Sequence, residues 1–458
     1  MKLYLRLILA ALSALLIPLC FPPYGFWPLI PVSLLMLLLA TADVSPRKAF
    51  YIGMLHGILG YGLTLYWLFH IFSTVAIPLY AILALFVALF CLFFNIISKQ
   101  IKSPVLKVFI AATIWTAFEF FRCEIFILRF PWITPGTAFG PTWLSPVLGV
   151  YGASFLIMTA TAAFMFRKTI ALAIVLSGII LCLGIFRPGV VVAPTDNSGL
   201  TLAVIQSEAC ALYSYIDLTK TIADKSPDLI IWPECALPYD VRKKPHRFEE
   251  LMKFSADMNS IFVIGTQTQL ENIDEDWYNT ALTLDRNGVI GEYYKNRPVH
   301  LFNDGTAGTN LNPIVTEIGN FATPICFDCD YSTVSRKMTK LGAEFFAVPS
   351  FDSYFWGKTQ HLQHSMFFRL RAAENSRWLA CAASSGVSQI IDPHGNVHKC
   401  IPALETGAIT GRIGKENHLN FYVRIGWLFP WITIGCSAIF LLWSLKNKSF
   451  NCISKRQP

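Results

Sequence analysis

PDLIIWPECALP, residues 227–238, is the stretch on which the reading of this chain turns: a strand-like apolar run that ends on a carboxylate, Glu234. Two other stretches repeat the arrangement. GEYYKNRP (291–298) closes a β-rich run with Lys295, and ATPICFDCDYS (322–332) closes another with Cys326. A carboxylate, an amine and a thiol at strand ends supply a general base, an oxyanion stabiliser and a nucleophile. The three together imply covalent acyl chemistry.

The surrounding sequence places that chemistry at a membrane. Of the 458 residues 54% are hydrophobic and only 14% charged, and the mean hydropathy is +0.49. Soluble domains rarely have this composition. The apolar residues are also clustered, in runs at 4–21, 27–43, 50–70, 74–97, 105–120, 143–165, 169–186 and 426–445. Each is near the ~20 residues that a bilayer core demands, so eight helices are expected, the second and fifth of them short. Residues 121–142 are aromatic and broken by Pro and Gly, which reads as an interfacial or re-entrant loop. The first run lacks a small-residue cleavage site and is expected to be a retained helix.

Basic residues recur in every other loop: Lys2 and Arg6, Arg47 and Lys48, Lys99, Lys102 and Lys107, Arg167 and Lys168, then Lys446, Lys448, Lys455 and Arg456 in the tail. Lys and Arg are retained on the cytoplasmic side. Both termini are therefore expected there, with 187–425 on the far side. This anchoring pattern accounts for part of the net charge of +8, so no nucleic-acid partner is inferred.

Residues 187–425 have another texture, with short β-rich runs such as LTLAVIQ, IFVIGTQT, NTALTLD, AEFFAVPS and VSQIID between charged or helical stretches. That alternation predicts an α/β layered domain. DRNG (285–288) and DPHGN (392–396) are hairpin signals, and the first brings the chain back through VIGEYY to Lys295. Cys326 lies between FATPI and a polar, helix-forming stretch. A strand-to-helix elbow exposes a nucleophile and aims backbone N–H groups, here that of Phe327, at an oxyanion. A thiol with an ordinary pKa near ~8.5 needs a base or a positive field to become a thiolate, roles open to Glu234 and Lys295.

PDLIIWPECALP, YYKNRP and TPICFD, with FPW (130–132), GVYGASFL (149–156) and a closing apolar run after the polar segment, resemble the apolipoprotein N-acyltransferases. These are bacterial membrane enzymes with a nitrilase-type domain of the carbon–nitrogen hydrolase superfamily. The resemblance implies a transmembrane helical domain over 1–190 with about seven spans, a periplasmic α-β-β-α sandwich over 191–424, and a final helix with a basic cytoplasmic tail over 425–458. It also implies multi-pass residence in the inner membrane. The implied reaction moves an acyl chain from a membrane phospholipid to Cys326 as a thioester. From there it passes to the α-amine of the diacylglyceryl-cysteine that begins an apolipoprotein, with Glu234 as base, Lys295 as oxyanion stabiliser and no cofactor.

Some positions differ from the family's pattern. Phe327 and Asp328 stand where a Tyr-Glu pair is expected, and Asn303, with Asp304 beside it, where a second Glu is expected. Tyr215 stands for an aromatic substrate contact. These differences keep two other readings open, an anchored amidase that passes its acyl group to water and a weakened relative that only binds lipid or lipoprotein. Phe351, Tyr354, Phe355 and Trp356 read either as core or as a lid, with Tyr354 and Trp356 then touching substrate. Cys329 makes a CxxC with Cys326, read as a small inward-facing residue rather than a redox or zinc site. His361 and His364 read as a packed or solvated pair, not metal ligands, and Arg369, Arg371, Glu374 and Arg377 as an ion-pair cluster on a helix.

Overall fold

A computed structural model of the protein describes residues 1–196, 198–270 and 276–454. Lys455 and Arg456 of the basic tail lie outside the described residues. The chain divides into two compact units. One comprises Met1–Gly140, Leu148–Arg187 and the residues from Ile425 onward, and the other Pro141–Val147 and Pro188–Arg424. Residues 141–147 thus group with the second unit, although by sequence they sit inside the apolar half.

Among the described residues six helices are long and apolar enough to cross a membrane: Leu3–Cys20, Leu68–Ser98, Pro104–Ile125, Ser145–Ala163, Arg167–Ile185 and Gly426–Asn447. Eight were expected. Leu29–Thr41 is apolar but has only 13 residues, and at ~1.5 Å per residue it falls short of a ~30 Å hydrocarbon core. Pro46–Thr64 has 19 residues, but its glycines, Arg47, Lys48 and His56 dilute its apolar content. Those glycines serve packing instead. A Cβ at Gly57 would fall 2.6 Å from the Cα of Ala84, and one at Gly53 2.9 Å from that of Ala88. Helix Pro46–Thr64 therefore meets Ala76–Ser98 nearly backbone to backbone, the small-residue packing that lipid favours. Arg6 is buried, and its guanidinium donates to the carbonyls of Ala40 (3.0 Å) and Ala42, where Leu29–Thr41 ends. A cation there meets the negative end of the helix dipole.

The second unit holds two six-stranded sheets. The first is built from β1 (Leu200–Gln206), β2 (Leu229–Ile231), β3 (Ile261–Gln269), β4 (Trp277–Asp285), β5 (Gly288–Tyr294) and, later in the chain, β12 (Gly407–Ile413), in the order β12-β1-β2-β3-β4-β5. The second is built from β6 (Ile314–Thr316), β7 (Gly319–Ala322), β8 (Phe345–Ser350), β9 (Trp378–Ala383), β10 (Ser388–Ile391) and β11 (Val397–Ile401), in the order β11-β10-β9-β8-β7-β6. Both have parallel centres, β1-β2-β3 and β7-β8-β9, and antiparallel flanks.

Alternation along the central strands explains the layering. Leu202, Val204, Leu229 and Ile231 pack with Phe321, Phe345, Phe346 and Trp378 of the other sheet. Ala203, Ile205, Ile230 and Trp232 point the opposite way, onto Leu212, Ile216, Leu251 and Phe254 of helices Leu212–Lys220 and Pro245–Met258. Helices Ser332–Lys340 and Lys358–Asn375 add Val334, Met338, Phe368 and Ala372 to the core of the second sheet. A strand buried on both faces reads as a continuous apolar run, hence LIIW. The result is a nitrilase-like α-β-β-α sandwich.

The two hairpins form where their turn residues lie. Asp285 Oδ1 accepts from the N–H groups of Asn287 (2.7 Å) and Gly288 (3.1 Å) between β4 and β5. Asp392 Oδ1 accepts from those of His394 and Asn396, both at 2.9 Å, between β10 and β11, with Gly395 at φ +84°.

Phe345 is fully buried between the sheets and stacks on Phe321 with ring centroids 5.3 Å apart. Phe345→Ala should cost about 3–5 kcal/mol through lost transfer energy and a residual cavity. Thermal unfolding of the detergent-solubilised protein measures it, and a midpoint unchanged from the parent protein would contradict this packing.

Candidate active site

Three chain segments bring the acid, amine and thiol together. After β2 the chain continues through Trp232, whose N–H donates to the Val263 carbonyl at 2.9 Å, and turns at Cys235, φ +56°. Gly265 on β3 makes room for that turn, since a Cβ there would lie 2.1 Å from the Pro233 oxygen and 2.4 Å from the Glu234 Cα. Lys295 directly follows β5, and its N–H extends the ladder to the Asn279 carbonyl at 2.8 Å. Cys326 opens the turn Cys326–Asp330 at φ +47°, a left-handed conformation that costs a residue with a side chain about 1–3 kcal/mol and marks functional positions.

The side chains meet in a dry cluster. Lys295 Nζ lies 2.8 Å from Glu234 Oε1 and 2.7 Å from Asp304 Oδ2. The Asn279 amide donates to both carboxylates, at 2.6 Å to Glu234 Oε1 and 2.7 Å to Asp304 Oδ1. Glu234, Lys295 and Asn279 are all at most 3% exposed. Cys326 Sγ donates to the Phe351 carbonyl at 3.5 Å, and the Glu234 and Lys295 charges act on it. Glu234 Oε2 is buried and, among the described residues, has no hydrogen-bond partner.

Electrostatics follow from burial and pairing. Desolvation raises the Glu234 carboxyl above its ordinary range, Lys295 pulls it back down, and the Asp304 charge raises it further. Burial disfavours the Lys295 ammonium, but Asp304 and Glu234 outweigh that and hold it well above the usual lysine value. Burial and the Glu234 charge push the Cys326 thiol up, against Lys295. Burial thus favours the protonated Cys326 thiol, and the two carboxylates favour the Lys295 ammonium.

Asp328 ties this arrangement together. It is fully buried and accepts from the Tyr293 hydroxyl (2.7 Å) and from the N–H groups of Arg297 (2.7 Å) and Ile325 (3.0 Å). One carboxylate thus joins the end of β5 to the turn that carries Cys326. Phe327 packs its ring edge-on against Tyr331 at 5.1 Å.

The other residues singled out in the sequence take the following places. Asn303 is at the surface, and Asp304 is the residue that reaches Lys295. Tyr215 is no substrate contact. Its ring stacks on Trp232 at 5.1 Å inside the core, and its hydroxyl donates to the Ser207 carbonyl at 2.6 Å. Trp356 packs between Phe351 and Phe302, both at 5.7 Å, whereas Tyr354 and Phe355 are exposed. Glu208 anchors the base of that aromatic segment by accepting from the Ser353 hydroxyl (3.0 Å) and the Tyr354 N–H (2.8 Å). Cys329 is buried in the core between the sheets as a free thiol, as is Cys381. The histidines have separate partners: His361 Nε2 donates to the Ser353 carbonyl at 2.9 Å, and His364 sits between Asp330 and Asp352. Arg371 pairs with Glu374 at 3.1 Å, while Arg377 Nε donates to the Ala343 carbonyl.

Asn279 and Glu208 escaped the sequence reading, and Asp304 entered it only as the neighbour of Asn303. A fully buried Asn opening the strand NTALTL is a polar interruption in an apolar run, which was the available signal. Glu208 gave none.

Two family models match the chain in successive stretches. Residues 13–163 match the Apolipoprotein N-acyltransferase N-terminal domain, and residues 193–416 match Carbon-nitrogen hydrolase. A protein named apolipoprotein N-acyltransferase from Geobacter metallireducens is 24% identical over 97% of this chain and 96% of its own length. One from Pseudomonas putida is 26% identical over 92% and 93%. Among solved structures, a carbon-nitrogen hydrolase from Helicobacter pylori G27 aligns at 18% identity with a TM-score of 0.41, covering 51% of this chain and 94% of that one. An amidase from Nesterenkonia sp. aligns at 18% identity and a TM-score of 0.42, covering 52% and 95%.

Because the Asp304 charge raises Glu234, Asp304→Asn should move the acid limb of the pH–rate profile to lower pH, as the base then stays ionised further down. Maximal turnover should fall about 10-fold as Lys295 loses a partner that positions it. An acid limb that stays where it was would contradict the coupling.

Proposed function

The chain belongs to the apolipoprotein N-acyltransferase family, and on that premise we propose how its own residues carry out lipoprotein N-acylation. The observation that carries the reading is the buried contact of Glu234, Lys295 and Cys326 in a chain with six membrane-length apolar helices. In the first step Glu234 accepts the proton of the Cys326 thiol as the sulfur attacks an ester carbonyl of a phospholipid. The charge that develops on the carbonyl oxygen is met by the Lys295 ammonium and the Phe327 N–H. Collapse breaks the ester C–O bond, and the leaving alcohol takes the proton back from Glu234. The products are a Cys326 thioester and a lysophospholipid.

In the second step the neutral α-amine of a diacylglyceryl-cysteine attacks the thioester carbonyl. Glu234 takes a proton from the attacking nitrogen, the C–S bond breaks, and the proton returns to sulfur as the amide forms. A thioester retains enough transfer potential for an amine, and two displacements through one covalent intermediate predict ping-pong kinetics. Trp356, with Phe351 and Phe302, lines the side of the thiol where an acyl chain would lie, and exposed Tyr354 and Phe355 suit contact with lipid. Basic loops alternating with bare ones support cytoplasmic termini and a periplasmic catalytic unit.

Mass spectrometry of the purified protein incubated with a defined phospholipid should show an acyl adduct on Cys326 that a diacylated lipopeptide discharges. Discharge by water alone would convert the reading to a hydrolase, and no adduct under reducing conditions would sink it. Cys326→Ser and Glu234→Gln should each lower turnover by at least ~10³-fold, the scale on which loss of a nucleophile or its base acts.

A further inference from the structure

His364 belongs to a buried cluster that the reaction sequence above does not use. Its Nδ1 lies 2.8 Å from Asp352 Oδ1 and its Nε2 3.2 Å from Asp330 Oδ1, and all three side chains are at most 3% exposed. Each carboxylate belongs to a segment that matters to the thiol. Asp330 ends the turn that Cys326 begins. Asp352 follows Phe351, whose carbonyl accepts from Cys326 Sγ. His364 itself comes from a third element, helix Lys358–Asn375.

We propose that His364, held between Asp330 and Asp352, is a positioning residue for Cys326 that fixes the nucleophile turn against the Phe351 carbonyl and neutralises Asp352, a second carboxylate whose charge reaches the thiol. The claim rests on the reading of Cys326 as nucleophile. The seat is built to hold. Asp352 Oδ1 also accepts from Gln360 Nε2 at 2.8 Å, its N–H donates to Ser384 Oγ at 2.9 Å, and its own carbonyl accepts from Ser384 Oγ at 2.9 Å. Gly386 leaves room for the carboxylate, since a Cβ there would fall 2.2 Å from Asp352 Oδ2. An imidazole with an acidic acceptor on each nitrogen must carry both protons, and its pKa is accordingly raised to about 10 against the pull of burial. His361, the other ring near Asp352, adds to the field that holds that carboxyl below its ordinary value.

The consequence for the thiol follows from charge. Cys326 faces Glu234, Lys295 and Asp352, and the Asp352 charge opposes thiolate formation. The imidazolium offsets that charge. A neutral residue at 364 would leave Asp352 uncompensated and loosen the link between the turn and residue 351. A merely structural histidine would change stability without changing the titration of a thiol two segments away.

The test uses the full-length, detergent-solubilised protein and iodoacetamide, with Cys326 alkylation followed peptide by peptide across pH. His364→Gln should shift the alkylation midpoint of Cys326 upward and slow its alkylation at pH 8 about 10-fold, and Asp352→Asn in the same chain should bring the midpoint back down. An unmoved midpoint in His364→Gln, or a double variant no closer to the parent protein, overturns the proposal. Should His364→Gln fail to fold, Asp352→Asn alone should lower the midpoint, and no change there overturns it equally. This readout is independent of acyl transfer. A parent protein that forms no phospholipid-derived adduct would refute the proposed function while leaving the alkylation result to judge His364.

Discussion

The ammonium of Lys295, buried between Glu234 and Asp304, is the contact on which the candidate site depends. Removing two carboxylates and an amine from water is costly, and their mutual attraction repays it only with close geometry and additional hydrogen bonds. Both conditions hold: the two Lys295 contacts are 2.8 and 2.7 Å, and the Asn279 amide bridges the carboxylates from the other side. The three charged groups come from the end of β2, the end of β5 and the loop before β6. Packing of the first sheet therefore decides whether the pairs form. Gly265 shows how tight the constraint is, because the turn at Glu234 passes where any side chain on β3 would stand.

Much of this was legible in the chain because burial leaves periodic marks. LIIW is apolar at every position, and the structure covers it on both sides, Ile231 facing the second sheet and Ile230 and Trp232 the helices. The hairpins at DRNG and DPHGN were readable because Asp and Gly supply the side-chain acceptor and the backbone freedom the turns require. Long-range pairing leaves no such mark. The meeting of Asn279, Asp304 and Lys295 depends on register between β4 and β5 and on the path of a loop. A one-residue offset there, Asp304 for Asn303, is invisible to spacing.

Tyr215 and Pro46–Thr64 were misjudged for related reasons. An aromatic residue in a polar stretch reads the same whether its hydroxyl meets substrate or a carbonyl, and here the Ser207 carbonyl takes it within the core. A glycine-containing apolar run reads as a span by length. Its glycines in fact admit the neighbouring helix at backbone distance, so close packing rather than hydrophobicity fixes its place. In lipid, where apolar side chains gain nothing by meeting one another, that contact is what holds helices together.

The Phe327-Asp328 pair gave the sequence its main argument for a weakened relative, and the geometry answers it. A shortened carboxylate would impair the site if its task were to reach across to substrate. Asp328 instead faces inward and collects the Tyr293 hydroxyl and the Arg297 and Ile325 N–H groups, so it fixes the turn that holds Cys326 at φ +47°. Such a backbone conformation persists only where its surroundings over-determine it. A carboxylate with four donors on one flank and a doubly paired imidazolium on the other do so. Phe327, for its part, keeps an N–H whatever its side chain, and its ring is accommodated against Tyr331. Phe327 and Asp328 are thus both compatible with the backbone turn that presents the thiol.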